Sequence, residues 1–414
     1  MTFDAIVVGG GVVGVSAAWR LIEGGLKRVM LLEANLLASG GTGLGTGSVH
    51  TQRWHETDTS LIGRSKRLIR EITDRSGGVF RLYPVGRLTL VGKCDVDTVM
   101  AYSNYLKDAG IDAVALPPDR LTERFPGLNV SDVGIGLYTK DDGTVYPSAL
   151  IWAMAGLFRN AGGAIWEGCG VSRIVFDGKR TTGVELANGD VVEAARVVLA
   201  TGVWTRKILE TSGLGLALKH AVTHNTVVTV GRQDLWARVP SLLDGVQGVI
   251  AIPRNPGTIM AANTAGEYGS DPETAEAVLK TAHVEVRKNG AFTDETALQQ
   301  GQVLAQLRHR YRDYDIRPVV GHWAGLLDGT PDSNPYVGPY PGIDGLWVGC
   351  GLTGYGVQRG PGVGETLANF AMQRPLEVDV DAYSLDRFAP DLEFEIDMSG
   401  DNPFLGFQHE GERV

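Results

Sequence analysis

Six residues near the start of this chain limit its fold more than any others: Gly9-Gly10-Gly11-Val12-Val13-Gly14. They have the spacing G-x-G-x-x-G, which gains meaning only from what flanks it. Phe3 to Val8 in front reads as a buried strand rich in β-branched residues. Behind the glycines, Val13, Ala17, Ala18, Leu21 and Ile22 share one side of a helix. A second strand, Val29 to Leu32, then ends in Glu33. Strand, glycine turn, helix, strand and acid in that order make half of a Rossmann-like unit.

Each part has a physical task. Gly9 permits the tight turn, Gly11 lets backbone approach a pyrophosphate, and Gly14 lets the helix lie close on its strand. The first-turn N–H groups around Val12 and Val13 offer a partial positive charge to phosphates. Glu33, followed by Ala34, can accept hydrogen bonds from a ribose diol and repels a 2′-phosphate, which disfavours NADP. NAD and FAD both use such a turn. The loop Ser39-Gly40-Gly41-Thr42-Gly43-Leu44-Gly45-Thr46-Gly47-Ser48 separates them. Its small and hydroxyl-bearing residues, Ser39, Gly41, Thr42, Thr46 and Gly47 among them, suit a path past a second phosphate and a flavin ring. A plain NAD dehydrogenase has no need of it.

Three separated stretches then resemble the D-amino-acid oxidase superfamily of FAD-dependent oxidoreductases, in its glycine oxidase, sarcosine oxidase and dimethylglycine dehydrogenase branch. The first is the N-terminal unit with its loop. The second is Ala195 to Trp204, a strand ending in the turn Ala200-Thr201-Gly202. The third runs from Gly321-His322-Trp323-Ala324-Gly325 through Leu346-Trp347-Val348 and Gly351 to Gly354-Tyr355-Gly356 and Gly362-Val363-Gly364-Glu365. The resemblance implies that Val171, Ala200, Thr201, Gly202, Trp204, Gly351, Thr353, Gly354, Tyr355, Gly356, Val357 and Gln358 lie along the cofactor. In related oxidases a lysine often stands at Gln358 and a histidine at Tyr355. Monomeric sarcosine oxidases tether FAD through a cysteine near the segment 322–331, where this chain has none. Non-covalent FAD is therefore expected, with His50 and His55 as the residues from which a covalent link would come.

The expected fold class is α/β: a Rossmann-like FAD-binding domain of discontinuous segments plus an α+β substrate domain with a mainly antiparallel sheet. Residues 1–81, 145–215 and 317–375 are assigned to the first, 82–144 and 216–316 to the second. A helix is expected over 59–75, a strand from Val79 to Val91, a helix opened by Pro147, short strands over 164–200 with a turn at Asn188-Gly189, and a helix from Pro361 to Ala371. Val222 to Val230 and Gly248 to Ile252 read as strands of the second domain.

Length and composition agree with two or three domains, the chain having 414 residues of which 43% are hydrophobic. No apolar run approaches the roughly 18 residues of a membrane span, and no secretory signal is read at the start. Cys94, Cys169 and Cys350 are odd in number and far apart, which argues for a reducing, cytoplasmic setting and against structural zinc. The net charge is uneven. From Leu376 onward eleven acidic residues face only Arg387 and Arg413, so 376–414 forms an acidic C-terminal extension of charge −9 on a body of −1. Phe388, Phe394 and Phe404 are its candidate anchors. No basic face for nucleic acid is read.

The chemistry implied is oxidation of the C–N bond of a small amino acid or N-methyl amino acid, by hydride transfer to flavin N5, giving an imine that hydrolyses. A carboxylate substrate calls for an arginine fork. Arg53 and Arg254 are the candidates, with His50 and Tyr355 beside the reacting carbon; Arg308, Arg310, Arg312 and Arg317 read as a solvated helix end. No metal motif is found. O₂ or another acceptor would reoxidise the flavin, and a homo-oligomer or dehydrogenase partner subunits remain in view. The alternatives are oxidation of a 2-hydroxy acid, a flavin subunit of a multi-subunit amine dehydrogenase, and an NAD-dependent dehydrogenase.

Overall fold

The computed structural model describes residues 2–53, 55–236, 238–254, 257–263, 267–269 and 294–395. The first strand, Ala5–Val8, lies in the middle of a six-stranded sheet, and all of its side chains are buried. It pairs in parallel with Val29–Leu32 on one side and Val197–Leu199 on the other. Ala164–Trp166 closes one edge. At the other, Leu346–Cys350 is parallel to Val197–Leu199 and Tyr336–Pro339 runs antiparallel to it. Burial on both faces explains the uninterrupted apolar run of these strands.

Two helices cover one face. Val12–Glu23 has ten buried residues among its twelve, and Gly356–Ala371 packs directly on it. Glycine makes the contact: a Cβ on Gly364 would stand 2.5 Å from the Val13 carbonyl oxygen and 2.6 Å from the Ser16 Cβ. The second helix begins at Gly356, earlier than expected, and carries Pro361 inside it. Ser16 Oγ donates to the Pro361 carbonyl at 2.8 Å, and Ser65 Oγ accepts from the Gly362 N–H. These bonds tie the interrupted turn to its neighbours. Pro147 opens the helix Pro147–Asn160 as the sequence suggests. Val171–Asp177, Arg180–Leu186 and Val191–Glu193 form a separate antiparallel sheet whose last turn holds Gly189 at φ +90°.

A second, nine-stranded sheet is mainly antiparallel. Its long strand Lys219–Val230 pairs with Thr258–Asn263 on one side and Ile316–Gly329 on the other. Arg87–Val91, Ile135–Thr139, Ser241–Asp244 and Val249–Pro253 extend it. Residues 317–329, at the start of the third expected FAD-binding segment, pair with Lys219–Val230 in this sheet. Helix Asp294–Arg310 packs below it through Val303 and Leu307.

Three other expectations need correcting. The strand expected from Val79 is confined to Arg87–Val91, because Pro84 has no N–H for a ladder. The helix expected from Thr59 starts at Glu56, with Glu56 and Asp58 in its first turn suited to the helix dipole. Of the four arginines expected at a solvated helix end, Arg308, Arg312 and Arg317 are exposed, but Arg310 is not. Arg310 is fully buried, bonded to Asp244 at 2.5 Å and to Asp132 at 2.9 Å, with Tyr311 and Tyr314 buried beside it.

The start of the acidic extension packs on the body through Val378, Val380, Tyr383 and Leu385. Phe388 packs on the core, and the Lys219 ammonium sits 5.1 Å from the Phe394 ring and 3.2 Å from Glu393. Phe404 and the rest of 396–414 lie outside the described residues. No described helix is long and apolar enough to cross a membrane.

Candidate functional site

A cavity of about 1060 Å³ runs from the glycine turn to the nine-stranded sheet. Its walls are the ends of the parallel strands, where ligands of such sheets settle. Gly9 leaves the first strand at φ +109°, a conformation that L side chains rarely adopt, and a Cβ there would lie 2.3 Å from the Ala200 carbonyl oxygen. The helix then begins at Val12, so its first-turn N–H groups face the cavity. Thr42 Oγ1 accepts from the Val12 N–H at 3.2 Å and pins the second glycine loop over the turn. Glu33 accepts from the N–H of Gly10 at 2.7 Å and of Asn35 at 2.8 Å. The acid is thus fixed at the mouth of the turn.

Most residues expected to hold the cofactor line this one cavity. They are Gly9, Gly11, Val12 and Val13 of the turn; Glu33 and Ala34; Ser39, Gly41, Thr42, Thr46 and Gly47 of the loop; Val171; Ala200, Thr201, Gly202 and Trp204; and Gly354 to Gln358. Gly14, Gly351 and Thr353 do not line it. Gly14 acts from behind, its missing Cβ leaving room for the Gly9 carbonyl 2.0 Å away. Gly351 donates its N–H to Asp328 Oδ2 at 2.6 Å, and the Thr353 N–H donates to the Asp328 carbonyl at 2.9 Å. Asp328, which sequence reasoning missed, therefore sets the shape of the 351–354 turn. Partial burial in the cavity wall pushes its carboxyl above the usual range.

The cavity suits FAD. It joins a glycine-walled end beside a helix N-terminus to a broader end under the second sheet. That broader end presents polar atoms without partners among the described residues, Gln358 Nε2 and His50 Nδ1. Gln358 Oε1 accepts from the His50 backbone N–H at 3.1 Å, which leaves the amide N–H groups for a ligand acceptor.

The four expected catalytic residues are only partly brought together. His50 and Tyr355 meet in the cavity wall, ring centroids 6.0 Å apart and edge to face. Burial and the neighbouring guanidiniums of Arg87 and Arg53 hold the His50 imidazole well below its ordinary pKa, hence neutral. Arg53 lies behind Tyr355, outside the lining. It is fully buried, its Nε is 2.7 Å from Asp58 Oδ2, and its guanidinium stacks on the Tyr355 ring at 4.3 Å. Arg359 bonds the same Asp58 oxygen and lies 5.2 Å from the same ring. Tyr383 Oη donates to Asp58 Oδ1 at 3.0 Å. One carboxylate thus faces two cations, and both guanidiniums lie close to the Tyr355 ring. Arg254 also stays outside the large cavity. It donates to the backbone carbonyls of Val145, at 2.7 Å, and Thr46, and so braces the glycine loop.

The arginine that does line the cavity is Arg87, which sequence reasoning missed. It stands at the start of the strand Arg87–Val91, paired in register with Ser241. Its Nη1 donates to Ser241 Oγ at 2.8 Å, and its buried Nε has no partner. No acid among the described residues lies within ion-pair distance of it. Burial lowers its pKa to about 10, so it remains a cation at neutral pH. Just behind it, Asp142 accepts from Thr51 and lies 2.9 Å from Lys66 Nζ, fixing the strap that carries His50 and Arg53. His55 caps the helix Glu56–Arg75 near Tyr383. His224 pairs with His322 at 3.2 Å on the long strands. Among the described residues no group of His, Cys, Asp and Glu is placed to hold a metal ion.

The model of a family described as FAD dependent oxidoreductase (DAO) matches residues 4–370. The 4-methylaminobutanoate oxidase (formaldehyde-forming) of Paenarthrobacter nicotinovorans is 26% identical over 93% of this chain and 45% of its own length. The chain therefore spans less than half of that oxidase. The glycine oxidase of Pseudomonas putida is 27% identical over 85% of this chain and 89% of its own. Among solved structures, the L-proline dehydrogenase from P. horikoshii superposes with a TM-score of 0.81 at 21% identity, covering 94% of this chain and 98% of that one. This last likeness is one of fold.

Proposed function

The chain belongs to the DAO family of FAD-dependent oxidoreductases, and we propose that it oxidises the C–N bond of a small amino acid or N-methyl amino acid whose carboxylate is held by Arg87. The observation that carries the reading is this buried guanidinium without an acid partner, in the wall of the cavity that also holds His50 and Tyr355. With Nη1 on Ser241, the Nε–Nη2 edge is left for a carboxylate, the edge that makes two parallel charge-assisted bonds. The names of the similar oxidases, which act on 4-methylaminobutanoate and glycine, support an amino-acid substrate.

Bound FAD, non-covalently held, supplies the hydride acceptor. The residues do the rest. In and behind this wall Arg87, Arg53, Arg359 and Lys66 outnumber Asp58 and Asp142, so His50 and its surroundings sit in net positive charge. Such a wall disfavours a protonated amine and leaves the nitrogen lone pair that C–H cleavage requires. Neutral His50 can accept a hydrogen bond from that amine. Tyr355, held by two guanidiniums, limits the width of the pocket beside it. The nine-stranded sheet covers this end through Leu243, Ile250 and Leu326 and excludes water. In this reading residues 1–81, 145–215 and 330–375 carry the cofactor, and 82–144 with 216–329 carry the substrate cover.

Product analysis tests the reaction class. Release of ammonia or methylamine in step with substrate oxidation is the expected result, or of formaldehyde and the demethylated amino acid where the N-methyl carbon is the one oxidised. Oxidation of 2-hydroxy acids without any amine released would overturn the assignment.

A further inference from the structure

A second cavity, of about 690 Å³, lies behind the glycine loop and apart from the first. It shares no lining residue with the large cavity. Four arginines line it, Arg81, Arg124, Arg238 and Arg254, and no acid does. None of the four forms an ion pair with a carboxylate among the described residues. Arg81, Arg124 and Arg238 are exposed at its rim and Arg254 is half-buried, so the site concentrates positive potential that a ligand carrying negative charge would meet.

The arginines are also oriented. Arg81 lies over the Tyr83 ring at 4.6 Å, Arg124 over Tyr138 at 4.3 Å and Arg254 over Tyr146 at 5.1 Å. Tyr83 and Tyr146 pack edge to face with centroids 5.7 Å apart, which joins two of these pairs into one floor. A guanidinium held over a ring is positioned by it, and the N–H groups of Arg81 and Arg124 remain available to an oxyanion. Arg254 is the innermost of the four and is anchored through the backbone carbonyls of Val145 and Thr46. The volume falls within the roughly 300–1000 Å³ of small-molecule sites.

We infer that this cavity is a binding site for an organic polyanion, a small molecule with two or more carboxylate or phosphate groups. It is separate from the site of oxidation and does not depend on the substrate proposed above. Charge sets affinity here and the tyrosine floor accepts a planar or apolar body. A single carboxylate would engage one arginine and bind weakly.

The test is calorimetric titration of the FAD-loaded protein with citrate, ADP, pyrophosphate and acetate, at low and at high NaCl, with the flavin spectrum recorded in parallel. Citrate and pyrophosphate separate carboxylate from phosphate ligands, and ADP reports the value of a planar body. We expect saturable binding by at least one polyanion and none by acetate, weakened by salt, with an unchanged flavin spectrum. The double variant Arg124→Ser/Arg238→Ser, altered at two exposed positions, should lose at least tenfold in affinity while keeping its flavin spectrum and turnover. Three results would overturn the inference: no saturable binding by any polyanion, binding unchanged in the double variant, or binding that perturbs the flavin spectrum and so reports the large cavity.

Discussion

Replacing Arg87 by Met separates a carboxylate anchor from a structural arginine. In the free protein the guanidinium is buried, has one hydrogen bond at 2.8 Å to Ser241 and has no acid partner among the described residues. A bound carboxylate would add two charge-assisted bonds in a site of low dielectric. Truncating one partner of such a buried pair costs about 2–5 kcal/mol. At about 1.4 kcal/mol per tenfold, even 2–4 kcal/mol is a loss of roughly 30- to 1000-fold in kcat/KM. The loss should fall mainly on KM, since the carboxylate is bound in both ground and transition states. It should be confined to substrates with a carboxylate; the corresponding amine without one should be oxidised equally by both proteins. Stability should not fall, because the variant removes an uncompensated buried cation and leaves an apolar stem of similar length. The assay is steady-state kinetics on the acid and its decarboxylated counterpart, alongside urea denaturation. An unchanged KM for the acid, or equal losses on both substrates, would refute the anchor.

Three further outcomes follow from the same geometry. Gly14→Ala puts a Cβ 2.0 Å from the Gly9 carbonyl oxygen; the helix must retreat, and spectral titration of the apoprotein should show FAD affinity reduced roughly 5- to 150-fold, by overpacking of about 1–3 kcal/mol. Asp58→Asn leaves Arg53 and Arg359 buried without a full counter-charge and should cost about 3–5 kcal/mol in urea denaturation. The two guanidiniums hold the Asp58 carboxyl well below its ordinary range. Its stabilisation is thus in force above about pH 4, the unfolded value, and is lost as pH falls toward the folded one; acidification should destabilise the wild type more than the Asn variant. Because His50 is held neutral, the pH profile of flavin reduction should show no break near 6.5 that His50→Gln abolishes.

The cofactor end was legible in the sequence because its signals are local. The turn, its helix and Glu33 span about thirty residues, and each glycine marks a clash that a Cβ would cause nearby. The substrate end was not, because its chemistry depends on distant pairing. Arg87-Leu88-Thr89-Leu90-Val91 reads as an ordinary strand, and only its register with Ser241-Leu242-Leu243-Asp244 brings Arg87 to the cavity. Arg53 drew attention for following the glycine loop, but Asp58 one helical turn on engages it. Arg254, expected as a carboxylate anchor, braces Thr46 from behind and does not line the large cavity. Arg310 reads like its exposed neighbours Arg308 and Arg312 because its partners, Asp132 and Asp244, come from other parts of the chain. Local patterns give a backbone site away; a lone charged side chain is defined by which acid reaches it, and that is set by the tertiary fold.

Anaerobic absorption spectroscopy of the FAD-loaded protein, titrated with amino acids, N-methyl amino acids and 2-hydroxy acids, addresses the central claim most directly. The account predicts a flavin band near 450 nm that bleaches with one class of amino acid and not with hydroxy acids. Bleaching by hydroxy acids alone, or a protein that takes up no flavin, would contradict it.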